Sequence, residues 1–284
     1  MADFRIGVMA DSFRLPIRDG IRKARELGAD GVQIYAVRGE MDPDALKGRA
    51  RKEFRKFVES QGLAISALCG DLGGHGFERP EDNAWKIPKS KRIMDLAVEL
   101  GTNVVTTHIG VVPEDRNDPK YRAMKAACEE LAEYGEKVGA AFAIETGPET
   151  AAGLKAFLDG LGARGVRVNY DPANLVMVTG DDPVKGVATL GNYIVHTHAK
   201  DGVRKKAIEP ARPYGYFAKG GIGDLRLSDY FEEKPLGEGA VDFPRYLDAL
   251  RKIGYRGFLT IEREVGANPA ADIEKAVKFL RSLI

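Results

Sequence analysis

The sequence predicts a (β/α)₈ TIM barrel, one domain spanning residues 1–284. Three observations lead there. Short apolar, β-branched runs alternate with helical stretches along the whole chain, with no break in composition between units; such alternation implies parallel strands. Eight of these pairs in a chain of 284 residues favour a closed barrel over an open sheet. Several of the runs also end in a carboxylate or a histidine, which is how a parallel sheet builds a site at its carboxyl edge. An open doubly wound sheet is the alternative, but the first strand lacks the Gly-x-Gly-x-x-Gly turn of a dinucleotide fold.

The first strand is read from Phe4 to Ala10, and Pro16 opens a helix to Leu27 that Gly28 closes. Gly31 to Ala36 is the second strand. Asp42-Pro-Asp44 caps a helix from Ala45 to Ser60, striped by Leu46, Ala50, Phe54, Phe57 and Val58 and stopped by Gly62. The third strand, Leu63 to Leu72, runs into the loop Gly73-Gly-His75-Gly-Phe77. A polar stretch with Trp85 precedes a helix from Lys89 to Leu100, with Ile93, Leu96, Ala97 and Leu100 on one side. Asn103 to His108 is the fourth strand, followed by a helix from Tyr121 to Val138. Ala140 to Thr146 is the fifth strand, followed by a helix from Glu149 to Gly160 or Gly162. Val166 to Asp171 is the sixth, and Pro183 to Leu190 leads to the seventh, which starts at Tyr193. Residues 203–240 break the rhythm, with much glycine and charge and no clear period. A segment of that length is expected to be a lid over the site or a contact between copies. Phe243 to Ile253, the eighth strand Phe258 to Glu262 and a helix from Ala270 to Leu283 complete the count.

Composition excludes several classes. The net charge is +1 with acids and bases intermixed, so neither a nucleic-acid track nor an anionic membrane surface is expected as partner. No run approaches a membrane span. Cys69 and Cys128 are the only cysteines, which fits a reducing cytoplasm better than a disulfide frame. The amino-terminal stretch Met1-Ala-Asp-Phe-Arg-Ile-Gly7 has no apolar core of the kind a signal peptide carries. A cytoplasmic enzyme is the expectation.

On a barrel the strand ends meet on one rim. Glu145, Asp171, His198 and Glu262 then converge from strands five to eight. Three carboxylates and an imidazole, with no thiolate, suit one divalent ion, Mn²⁺ or Mg²⁺ first, with Co²⁺ or Zn²⁺ also compatible. Close carboxylates repel, and a cation resolves that conflict. His196 shares the face of His198 one layer deeper, where it reads as a supporting or packed histidine rather than a ligand. His108 ends strand four and is a candidate to contact substrate. His75, in its glycine-rich loop, can reach over the rim, although either histidine could be a solvated loop residue. Lys200 and Arg204 come after strand seven and could hold a hydroxyl or a phosphate. Trp85 reads either as a cover for a sugar face or as loop packing. The glycines at 220–223 and 237–239 lack the ending of a phosphate loop, and no nucleophile elbow is present.

These residues resemble a known family. The pattern Ala-Ile-Glu145-Thr-Gly-Pro, Asp171-Pro-Ala-Asn174, His196-Thr-His198-Ala-Lys-Asp and Thr-Ile-Glu262 is similar to the xylose isomerase-like TIM barrels, and within them to the sugar phosphate isomerase/epimerase group. Pro235-Leu-Gly-Glu-Gly-Ala-Val-Asp242-Phe-Pro, before strand eight, is also typical of that group. The resemblance covers essentially the whole chain and implies fold and metal site, not substrate. It implies that Glu145, Asp171, His198 and Glu262 ligate the metal, as in the ketose 3-epimerases, and that Glu145 and Glu262 are the acid/base pair on opposite faces of the substrate. It implies that Arg204 contacts a substrate oxygen. Those epimerases carry histidine where this chain has Asn174, which can still hydrogen-bond a hydroxyl.

The implied activity is a metal-dependent isomerisation or epimerisation of a sugar or sugar phosphate through an enediolate. A metal on the carbonyl and neighbouring hydroxyl stabilises that species, one glutamate removes the proton and the other returns one. The same enediolate could expel a β-hydroxyl, as in inosose dehydratases. An endonuclease IV-like repair enzyme would need three zincs and more than the four histidines present. A non-enzymatic sugar-binding barrel is the remaining alternative, and homo-oligomers are frequent in the family.

Overall fold

The computed structural model describes residues 4–284; residues 1–3, which open the amino-terminal stretch read above, lie outside them. The strands in chain order are β1 (Arg5–Met9), β2 (Gly31–Tyr35), β3 (Ala64–Cys69), β4 (Val104–Thr107), β5 (Ala141–Glu145), β6 (Val166–Tyr170), β7 (Ile194–Ala199), β8 (Asp201–Arg204), β9 (Phe231–Lys234) and β10 (Phe258–Ile261). The first seven and β10 pair in parallel, each with its neighbour in sequence, and β10 closes on β1. The predicted eight-stranded barrel is therefore the architecture. Around it lie α1 (Ile17–Glu26), α2 (Arg49–Ser60), α3 (Pro80–Leu100), α4 (Pro119–Val138), α5 (Ala151–Asp159), the one-turn α6 (Pro172–Asn174), α7 (Pro183–Leu190), α8 (Ala211–Lys219), α9 (Phe243–Lys252) and α10 (Pro269–Arg281). Both cysteines are free and buried, and no helix among the described residues is long and apolar enough to cross a membrane.

The greasy layer sits between strands and helices, where Ile6, Val8, Ile34, Phe54, Ile93, Phe142 and Leu259 are fully buried. A smaller cluster of Ala67, Val104 and Ala143 is separate from it. Ala143 lies two residues before Glu145 and so shares its strand face. Above this cluster the barrel changes character. Gln33, Thr106, Asn169, His196, His198 and Thr260 are all buried. Register shifts at Val32/Gln33 and Val168/Asn169 re-aim two of these polar side chains, as bulges do. Gly7 makes room: a β-carbon there would lie 2.6 Å from the Thr260 hydroxyl.

Two expectations are corrected, and residues 203–240 hold regular structure that the periodicity does not show. The second helix begins at Arg49, because Asp42 spends its carboxylate and carbonyl on a local turn and Gly48 takes a φ of 55°; Ala50 of the predicted stripe is exposed. The third helix begins at Pro80 and carries Trp85, which is exposed at 50%. Its polar first half is not a loop. Asn83 donates to the Phe77 carbonyl, and the Lys86 ammonium donates to the carbonyls of Gly73 and Gly76 at 2.7 and 2.6 Å. These polar side chains pin the loop after β3. Residues 203–240 are also ordered, as an antiparallel β8–β9 hairpin whose long connection carries α8.

Candidate metal centre and its surroundings

Glu145 ends β5, Asp171 comes directly after β6, His198 lies in β7 and Glu262 comes directly after β10. One ligand atom from each lies within 4.8 Å of the others, and all four residues are buried. His198 Nδ1 is 3.3 Å from Asp171 Oδ2, 3.4 Å from Glu262 Oε2 and 3.6 Å from Glu145 Oε1. A single N–H can serve one acceptor well, not three. An ion with bonds of about 2.1 Å instead leaves about 3.0–3.4 Å between adjacent ligand atoms. The spacing and the hard oxygen-rich donor set therefore fit a small divalent cation.

The charges explain how the cluster persists. Burial alone would push the Glu145 carboxyl up, and the His108 and His198 imidazoles more than offset it, leaving it below the usual carboxylate range. Burial disfavours the charged form of His198, but Glu262 and Glu145 hold its affinity for a proton well above normal. Close carboxylates thus select whichever cation is present.

A hydrogen-bonded layer beneath orients these ligands. His196 is the deeper histidine of the pair. Burial lowers its pKa to about 3, so it is neutral. Its Nδ1 donates to Asn169 Oδ1 at 2.8 Å and its Nε2 accepts from the Thr260 hydroxyl at 3.0 Å. Asn169 Nδ2 then donates to Glu145 Oε2 at 3.1 Å. His198 Nε2 meets Gln33 Oε1 at 3.0 Å, and Gln33 Nε2 donates to Thr106 Oγ1 at 2.8 Å. Gln33 and Asn169 are not singled out by sequence pattern. Each is a lone amide in an apolar strand, and Asn169 stands two residues before Asp171, the spacing that distinguishes the two histidines.

The rim is acidic and mixed. His108 Nδ1 is 3.0 Å from Asp71 Oδ2, and its Nε2 is 3.5 Å from Glu145 Oε1. Burial opposes its charge, but Glu145 and Asp71 raise it to about 10. Asp71, which the sequence pattern does not mark, comes after β3 as the other acids come after their strands. Asn174 Nδ2 donates to Glu145 Oε1 at 3.1 Å, and its backbone N–H is capped by Asp171 Oδ1 at 2.9 Å. Lys200 is buried beside the cluster and donates to Glu262 Oε2 at 2.8 Å and to Glu264; those two carboxylates keep it charged against the effect of burial. His75 sits half-exposed in its loop, where burial and Arg79 lower its proton affinity. Arg204 is exposed on β8 and donates to the Thr179 carbonyl at 2.8 Å rather than to any member of the cluster.

Two further groups come from the connections after β7 and β5. The Tyr214 ring, on α8, meets the His108 ring edge-on with centroids 5.6 Å apart. Its hydroxyl approaches Gly147 so closely that a β-carbon there would lie 2.5 Å away. Glu149 accepts from the Val112 N–H at 2.6 Å, and burial raises its carboxyl to about 7.

Comparison with known proteins adds lineage. The sequence model of the xylose isomerase-like TIM barrel family matches residues 21–283. The rhizopine catabolism protein MocC of Rhizobium meliloti is 34% identical over 274 residues, covering 90% of this chain and 77% of that protein. An inosose dehydratase of Lacticaseibacillus casei is 25% identical over 170 residues, covering 57% of this chain and 54% of the dehydratase. Among solved structures, a xylose isomerase domain protein from Planctomyces limnophilus superimposes with a TM-score of 0.80 at 26% identity, over 99% of this chain and 97% of that one.

Proposed function

The chain belongs to the xylose isomerase-like TIM barrel family, and from that premise we propose that it is a divalent-metal-dependent isomerase or epimerase of a small polyhydroxylated ketone. The observation that carries this reading is the buried convergence of Glu145, Asp171, His198 and Glu262. These four would hold the ion, which when bound supplies a Lewis acid that polarises a ketone and offsets the charge of its enediolate.

The chain's own residues do the rest. Glu145 and Glu262 come from strands separated in the ring by β6 and β7, so a compact ring between them is approached from two sides. Either carboxylate can take the proton α to the carbonyl, and the other can return one. Asn169 and Asn174 hold the two oxygens of Glu145, and Lys200 holds Glu262. Both bases are thereby fixed before substrate arrives. His108 and Asp71 present a charged pair to a substrate hydroxyl. Tyr214 covers His108 and keeps water from the reacting carbon.

Loss of water is the second reading, favoured by the resemblance to the inosose dehydratase. Proton removal is shared, and the outcome depends on whether a β-hydroxyl leaves before the proton returns. The test is product analysis in D₂O on a panel of 2-keto-inositols and free or phosphorylated ketoses. Retention of mass apart from deuterium at the α carbon supports the isomerase; a product lighter by water supports the lyase. Glu262→Gln is expected to lower turnover about 10²–10⁴-fold with metal still bound. Near-normal turnover in that variant rules out the two-glutamate scheme.

A further inference from the structure

We infer that Gln33 is a positioning residue for metal uptake: its side-chain carbonyl, reaching across the barrel from β2, selects the His198 tautomer that can ligate. The inference rests on the metal-centre reading above. His198 offers Nδ1 to the three carboxylates, and a neutral imidazole can ligate through Nδ1 only if Nε2 carries the proton. Two amides compete for that Nε2. Gln33 Oε1, at 3.0 Å, accepts and so favours Nε2–H. Asn169 Nδ2, at 3.2 Å, is a donor and favours the opposite tautomer. The Asn169 amide is not free to turn, because its oxygen accepts from His196 Nδ1 and its nitrogen donates to Glu145 Oε2. Gln33 is therefore the only acceptor at Nε2 among the described residues.

The rest of the local structure serves that contact. Gln33 is fully buried in a strand whose neighbours Val32 and Ile34 are core residues. Burying an amide is costly unless it is hydrogen-bonded, and both ends of this one are. Its nitrogen donates to Thr106 Oγ1 on β4, and the register shift at Val32/Gln33 sets its direction. An apolar residue here would fill the same space. It would leave Nε2 to Asn169, whose donor places the remaining proton on Nδ1, facing where the ion belongs.

The test is isothermal titration of chelator-stripped, full-length protein with Mn²⁺ alone, comparing wild type, Gln33→Met and Gln33→Glu. Gln33→Met keeps the volume and removes the acceptor, and is expected to weaken Mn²⁺ binding about 10–100-fold. Gln33→Glu keeps an acceptor and is expected to restore binding to within threefold of wild type, by the carboxylate–histidine pairing seen at many metal sites. A merely structural role would not separate these two variants. If Gln33→Met fails to fold, Thr106→Val takes its place: it removes the partner that fixes the amide and is expected to weaken binding several-fold in the same direction. Gln33→Met within twofold of wild type, or Gln33→Glu as weak as Gln33→Met, overturns the role of Gln33. A wild type that takes up no Mn²⁺ overturns the metal-centre reading itself.

Discussion

Glu149 shows how much one side chain's surroundings matter. Its carboxyl lies in the connection after β5, and burial holds its proton up to about pH 7 against an ordinary value of 4.5. The folded carboxyl binds its proton more tightly than the unfolded one. Stability from this group is therefore fully present below pH 4.5 and lost as pH rises through 7. Glu149→Gln can still accept from the Val112 N–H and removes that penalty. Its stability by urea denaturation is expected to match wild type at pH 4 and exceed it at pH 8 by up to about 3 kcal/mol. A variant less stable than wild type at pH 8 contradicts this account. Residue-scale legibility was uneven for a physical reason. Acids and histidines at strand ends stand out because few other roles suit them there. Gln33 and Asn169 are amides inside apolar strands, and nothing in a linear pattern says which way an amide points. The spacing after His198 brings Arg204 into the resemblance, while in the fold β8 pairs with β9 and the guanidinium donates to the Thr179 carbonyl.

At the scale of elements, the hairpin after β7 is the feature that periodicity hid. Its strands are four residues each, too short and too charged to show an alternation. What fixes it is a carboxylate. Asp201 accepts from the backbone N–H groups of Gly202 and Val241 at Oδ1 and of Gly237 and Gly239 at Oδ2, at 2.9–3.1 Å. This clamp joins the base of the hairpin to the turn before α9, so α8 and its Tyr214 hang from a fixed root. Asp201→Ala strands four amides, of which each buried one costs about 1–3 kcal/mol if unmet. Limited proteolysis is expected to cut within residues 205–230 at least about tenfold faster in this variant, because local opening tracks lost hydrogen bonding. Cleavage at the wild-type rate would show that the clamp does not hold the hairpin. Helix α3 teaches a similar lesson. Its amino-terminal half was unreadable because polar Asn83 and Lys86 face inward to hold loop carbonyls, so their polarity marks a buried contact rather than a solvated loop.

At the scale of the molecule, eight strand–helix alternations without a change of composition were enough to read the closed barrel. Parallel strands buried on both faces have few alternatives to closure once there are eight of them. Closure brings Glu145 and Glu262, 117 positions apart in the numbering, to one small volume. It also stacks two unlike interiors, an apolar cluster of Ala67, Val104 and Ala143 below a polar layer that orients ligands. Three carboxylates around one imidazole nitrogen have a physical rationale if that volume is meant for a cation. Metal content per chain, in wild type and His198→Ala purified without chelator, tests this most directly. The account predicts about one divalent ion per wild-type chain and almost none in the variant. A wild type that holds no ion even after reconstitution, or a variant that holds as much as wild type, would contradict it.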